Sequence, residues 1–339
     1  PVAYWMPRSL LKSFSEMPAL SETVPAKSGQ NTGDNDRFTR RWNEVAEMNI
    51  GFGRTSLEQT EVDMPNWYPY NKGGAFRKWF GNYEYVVKWS RNGHAIKTYA
   101  VERNNGKHWS RYIQNLDFML KEGITWTFIS SSYFGARYTP AGHLFDYAGC
   151  SAFPQANDLG RVLALFCSKL SSYVLSFLNP TLNLQPGNVG NLPLPSTSPD
   201  VSSLLSGNGD KCVQISRRDW NDYERSWDFQ SVPILTASTE PARTLESSYT
   251  AWITLNRTTI AEMKRLEEEN NRLFITAYGL ADELTPDVPI AQITLTVNPA
   301  YRYGGNLSEE EQWTRFRQDT MAELISYAIG CMMGRYSLD

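Results

Sequence analysis

Metal-binding and redox chemistry have little to work with in this sequence: its 339 residues hold four cysteines and three histidines. Cys150, Cys167, Cys212 and Cys331 lie far apart, with no C-x-x-C pair and no cysteine–histidine spacing that suits zinc. They read as four buried free thiols in a reducing compartment. His94, His108 and His143 form neither H-x-x-x-H nor H-E-x-x-H, so the metal-hydrolase pattern is missing and no metal ligand set is expected. There is no G-x-S-x-G elbow and no G-x-x-x-x-G-K-[S/T] loop. No run of 18 uncharged apolar residues is present, which argues against a membrane span. Pro1 to Trp5 has no basic segment leading into an apolar stretch, which argues against a secretory signal. A cytoplasmic location is the expectation. The first residue is Pro1 rather than Met, and the chain reads as a piece of something longer.

What is present is aromatic and unevenly charged. Aromatic residues make up 13% of the chain, with 11 Trp and 18 Tyr, which suits either a broad core or a stacking surface. The net charge is −3, but residues 1–200 carry a balance of +4 and residues 201–339 a balance of −7. Residues 70–140 hold 11 basic and 4 acidic side chains and two of the three histidines. A basic stretch inside an acidic chain is the electrostatic footprint of a local polyanion contact; a solvated surface gives the same count.

Residues 1–30 read as a lead-in with a short helical pattern at Leu10, Leu11 and Phe14. From about 40 to 150 the signals are mainly β. Residues 85–89 and 94–99 flank Asn92-Gly93, which predicts a hairpin. Residues 124–129 form a β-branched and aromatic strand, and Pro140-Ala141-Gly142 marks a turn between 137–138 and 143–145. A helix is predicted over about 158–178, capped by Asn157 or Asp158, with apolar residues at helical spacing from Leu159 to Phe177. Residues 183–209 read as loop and linker. Beyond them, 242–280 predicts one long helix or two in line, and Ser308 with Glu311 forms a capping box for a last helix. The expected class is α+β: a β-rich domain with one buried helix over 1–200, then a helical arm over 210–339.

Three segments carry most of the chemical interest. Thr32 to Phe38 is a compact turn in which Asn35 and Arg37 are suited to holding or reading a nucleotide. Pro69 to Asn82 sets Lys72, Arg77 and Lys78 among three glycines and several aromatics; Gly73-Gly74 would let backbone amides approach phosphate oxygens. A β-turn with a solvated basic rim accounts for the same pattern. Ser130, Ser131 and Ser132 end a strand just before Arg137, where hydroxyls cap a helix or bind phosphate. Asn298-Pro299-Ala300-Tyr301, after the strand-like Ile293 to Val297, approaches the [Asp/Asn/Ser]-Pro-Pro-aromatic loop that grips an exocyclic amine. Ala300 replaces the second proline, and no glycine-rich strand–turn–helix accompanies it. An ordinary turn at a strand end is the reading preferred, and no catalytic or cofactor-binding residue is assigned.

The order TGDNDRF, WYPYNKGGAFRKWFGN, ITWTFISSSYFGARYTPAG and LNPTLNLQPGNVGNLPLP resembles the specificity region of BREX adenine-specific DNA methyltransferases of the PglX type. Asn179 to Pro195 is also similar to the closing element of target-recognition domains in Type I and Type IIG systems. Downstream stretches around Asp219-Trp220, Glu224 to Phe229, Leu266 to Arg272, Asn298 to Tyr303 and Ile325 to Asp339 resemble the spacer that follows, so the likeness covers nearly the whole chain. It implies a DNA-reading region followed by a spacer, with the S-adenosylmethionine-binding methyltransferase domain N-terminal to it. It also implies double-stranded DNA, that domain and other BREX proteins as partners, in phage defence. On this reading Asn35, Arg37 and Asn71 contact base edges. Lys72, Arg77, Lys78, Arg137, Ser130, Ser131 and the Gly73-Gly74 amides contact phosphates. The alternatives are a protein-binding scaffold that docks defence partners or a DNA-mimicking inhibitor, and a self-contained methyltransferase using Asn298 to Tyr301.

Overall fold

The computed structural model describes residues 6–129, 133–179, 181, 183–238 and 244–336. The chain divides into two compact units, one of residues 1–213 with 269–286 and one of residues 214–268 with 287–339. The division therefore does not follow the chain linearly, because a stretch well beyond residue 210 belongs with the first unit.

The class is α+β, with short strands. In chain order the first unit contains α1 (Arg8–Glu16), β1 (Ala26–Lys27), α2 (Asn35–Phe38), β2 (Thr39–Arg41), β3 (Trp67–Asn71), β4 (Tyr85–Lys88), α3 (Ser90–Arg103), β5 (Gly123–Trp126), β6 (Ala136–Thr139), β7 (Leu144–Phe145) and β8 (Ser151–Ala152). There follow α4 (Leu159–Cys167), α5 (Lys169–Leu178), α6 (Pro186–Gly190) and the start of α7 (Pro199–Asn221). Among the described residues the strands form two four-stranded sheets, ordered β1-β8-β5-β6 and β2-β4-β3-β7. Pairing is antiparallel except between β3 and β7. The core of the second sheet is aromatic: Tyr68, Tyr70, Val87 and Trp89 pack with Ile96, Leu144 and Phe145. α4 covers the first sheet, and its Phe166 ring meets Trp126 of β5 at 6.0 Å and Phe134 at 5.7 Å, both edge-on.

Four local expectations are corrected by this arrangement. The hairpin at Asn92-Gly93 is a strand-to-helix corner. Arg91, Asn92 and Gly93 have φ of 50°, 50° and 70°, so the left-handed signal is real, but β4 pairs with β2 and β3 while the chain turns into α3. A Cβ on Gly93 would come within 2.7 Å of the Trp89 ring. The helix expected over 158–178 is two helices bent by 70°. Ser168 breaks it, with extended backbone and a hydroxyl that accepts from the Ser171 amide at 3.3 Å. Asp158 makes no cap; its carboxylate pairs with Arg161. The stretch read as linker is helical over α6 and again from Pro199. Residues 293–297, strand-like in composition, form no strand: they are buried, and an acid side chain takes up their amides.

That acid organises the second unit, which contains the end of α7, most of α8 (Leu245–Ala277), α9 (Pro299–Tyr303) and α10 (Glu309–Met332). Asp219, 3% exposed, accepts from the amides of Thr296 at 2.8 Å and Val297 at 2.9 Å. The capping box at the start of α10 forms as expected: Ser308 accepts from the Glu311 amide, and Glu311 accepts from the Ser308 amide at 2.7 Å. Among the described residues no single helix is long and apolar enough to cross a membrane.

Replacing Asp219 by Ala strands two buried amides and removes charge-assisted bonds, so the second unit should lose about 2–4 kcal/mol. Amide exchange resolved by segment will read this as faster exchange at 294–298. Asp222 adds a pH dependence: burial, then the nearby Asp219 carboxylate, raise its carboxyl to about 7, against the pull of Arg218. The folded state thus holds that proton more tightly than the unfolded chain. The stabilisation is complete below about pH 4, an unfolded carboxyl's value. It is lost as pH rises through about 7. Asp222→Asn should raise the melting temperature at pH 8 by a few degrees, on the order of 2–4 °C per kcal/mol, and leave it unchanged at pH 4.

Candidate nucleic-acid interface

The three polar segments singled out in the sequence all lie in the first unit, and the fold treats them differently. The Thr32–Phe38 segment forms a capped turn. Asp34 accepts from the Arg37 amide at 3.0 Å, and the Thr32 hydroxyl donates to Asn35 Oδ1 at 2.9 Å, which presents Asn35 and Arg37 to solvent on the single turn of α2. The Arg37 guanidinium lies 5.1 Å from the Phe38 ring centre and 5.2 Å from that of Tyr99. Gly33, at φ 73°, passes its carbonyl to Arg103, whose Nη1 donates to it at 2.9 Å. Arg40 donates to the Asp36 and Thr39 carbonyls and lies 5.6 Å from the Trp67 ring centre.

Lys72 joins this surface from β3's end. Its Nζ is 3.5 Å from Thr39 Oγ1 and 5.4 Å from the Tyr85 ring centre. Burial lowers the Lys72 ammonium's pKa, partly opposed by Asp146 and Asp36. Arg37, Arg40, Lys72 and Arg103 thus collect around α2, with Asp36 as an exposed acid among them. Several of these cations rest on aromatic rings, an arrangement that fixes a guanidinium without neutralising it.

The rest of the glycine-rich segment turns inward. Trp79 docks along β6: its amide donates to the Ala136 carbonyl and its carbonyl accepts from the Tyr138 amide, each at 2.8 Å. This seats Arg77, Lys78 and Arg137 at 2%, 4% and 2% exposure. Arg77 Nε donates to the Phe80 carbonyl at 2.7 Å, and Arg137 Nη1 reaches the Arg77 carbonyl at 3.5 Å. As placed, none of the three meets a phosphate at the surface. Asn71 is also buried and donates to Thr139 Oγ1 at 3.2 Å, so it shows no edge to a base. Gly73 is buried at φ 87°, while Gly74 is exposed at φ 138° and accepts from the Thr127 hydroxyl at 3.1 Å. Ser130 and Ser131 lie outside the described residues.

Sequence reasoning missed Arg40 and Arg103. The second was hidden by the hairpin reading, whose second strand stopped at Tyr99; α3 continues to Arg103 and sets it one turn beyond Tyr99 on the same face.

Asn298 was the nearest approach to a methyl-transfer motif, and its surroundings do not fit one. Its carboxamide donates to the Ile290 and Ile293 carbonyls at 2.8 Å each and accepts from the Ala300 amide at 3.2 Å, at 1% exposure. A substrate amine would have to displace bonds that hold the chain entering α9. Among the described residues no group of three or more His, Cys, Asp or Glu side chains is placed to hold a metal ion.

No family model matches the chain. It is 38% identical over 349 residues to the adenine-specific methyltransferase PglX of Lacticaseibacillus casei (strain Zhang). It is 33% identical over 342 residues to the adenine-specific methyltransferase BrxX of Escherichia coli O9:H4 (strain HS). Each match takes in 100% of this chain and 26% of the relative, so the chain spans about a quarter of the length of these curated relatives. Among solved structures, the Type IIL restriction-modification enzyme MmeI in complex with DNA matches with a TM-score of 0.49 and 12% identity. That match covers 82% of this chain and 35% of the other, and is too remote to carry function across.

Burial separates the cations by role, and stability measurements will separate them too. Arg77→Ala leaves a hole and orphaned carbonyls, and should cost about 2–4 kcal/mol in urea denaturation. Arg37→Ala removes an exposed side chain over two rings and should cost no more than about 1 kcal/mol.

Proposed function

The chain belongs, as a segment, to the adenine-specific methyltransferase family of PglX and BrxX, and we propose that its share of the whole protein's work is to recognise double-stranded DNA. The observation that carries this is the cluster of cations around the exposed turn of α2. Asn35 and Arg37 are the base-reading pair, since their planar amide and guanidinium match adenine and guanine edges in bidentate fashion. Arg40, Arg103 and Lys72, with the exposed backbone at Gly74, hold phosphates on either side. Arg77, Lys78, Arg137 and Asn71 serve from inside, shaping the loop that carries Lys72 and Gly74. The remaining part of the protein supplies S-adenosylmethionine binding and methyl transfer to adenine, marking self DNA in phage defence. The second unit, acidic and unsuited to DNA, acts as the spacer to that part.

The test is a salt titration of duplex binding. Arg37→Glu with Arg103→Glu should weaken binding and flatten the log–log salt dependence by about one unit for each phosphate no longer held. Affinity and slope equal to those of the unmodified chain would remove the α2 surface from the footprint. Salt-independent capture of an acidic protein, with no duplex binding at all, would favour the scaffold reading instead.

A further inference from the structure

The last four turns of α10 present a face without charge. Ile325 and Ile329 are 60% and 50% exposed, and Met332 is 86% exposed. With the exposed Gln318 and Ala322 they recur at spacings of four, three, four and three residues, the a/d seam of a heptad repeat. The two acids in this stretch point elsewhere. Asp319 and Glu323 accept from Arg302 at 3.3 and 2.8 Å, and Asp319 also accepts from the Tyr303 hydroxyl at 2.8 Å. Every exposed position from 318 to 333 is therefore formally neutral; at the rim, the Ser326 hydroxyl donates to Glu224 at 3.3 Å. Large contiguous apolar faces of this kind are rare on free surfaces and mark places where another element packs.

We propose that this seam seats an amphipathic helix supplied by the part of the parent polypeptide that lies outside this chain. The four–three spacing specifies a helical partner, because only a helix offers holes at that repeat for Ile325, Ile329 and Met332 as knobs. The source follows from length: about three quarters of each relative falls outside the match. A tethered helix meets the seam at an effective concentration in the millimolar range, which makes a two-heptad contact sufficient. A second copy of this chain has no such advantage. DNA binding by the first unit plays no part in this docking, so failure of the DNA reading leaves the seam as it is.

Peroxide oxidation of Met332 and Met333, followed by peptide mass spectrometry, reads the docking directly. Both should oxidise at least fivefold more slowly in the full-length polypeptide than in this chain by itself. Ile325→Glu with Ile329→Glu in the full-length polypeptide should restore the fast rate. These side chains are half or more exposed, so the substitution should leave the helical circular-dichroism signal intact. Equal rates in the two unmodified forms would overturn the proposal, as would protection in this chain alone that grows with its concentration, which would mean self-association. Should the double variant fail to fold, the comparison of the two unmodified forms still decides.

Discussion

Two hydrogen bonds between Trp79 and the strand Ala136–Thr139 decide which charges of the first unit face water. Once the Trp79 backbone lies along that strand, its neighbours Arg77 and Lys78 go in with it, and Arg137 is covered from above. The buried guanidiniums are tolerable because backbone carbonyls meet them, a general condition for placing a cation in a low-dielectric interior. The same docking carries the chain from Lys72 through two glycines at positive φ, leaving Lys72 and Gly74 at the rim. The basic stretch is thus divided between an internal scaffold and a smaller exposed surface.

A comparable economy governs the second unit. One carboxylate, Asp219, supplies the acceptors for the two amides of a buried stretch that makes no strand. Arg302 gathers Asp319 and Glu323, which fixes the α9–α10 corner and clears the outer face of α10 of charge. Satisfying internal polar groups and exposing an apolar seam are, here, two results of the same ion pairs.

Much of this was legible beforehand. The α+β class, the long helix from Leu245, the capping box at Ser308 and the family likeness all rest on local pattern or on long specific motifs. At Asn298 the sequence suggested an ordinary turn at a strand end; no strand precedes it, and Asn298 instead caps α9. The hairpin at Asn92-Gly93 was not, because left-handed residues serve a strand-to-strand and a strand-to-helix corner equally well. Ser168 inside an apolar helical period gave no sign of a break, since a hydroxyl caps a new helix only once tertiary packing bends the old one.

The sequence by itself determined the composition of the surface to be made: where the cations, amides and glycines are concentrated, and to which protein family they belong. Tertiary structure alone decided which of them reach solvent. Charge is a property of a residue, but exposure is a property of its neighbours, and Arg77 and Arg137, which meet in the interior, lie 60 residues apart in the chain. Arg37 and Arg103, 66 positions apart, gather about Tyr99 and Gly33 by the same logic, and no local pattern announces that they meet.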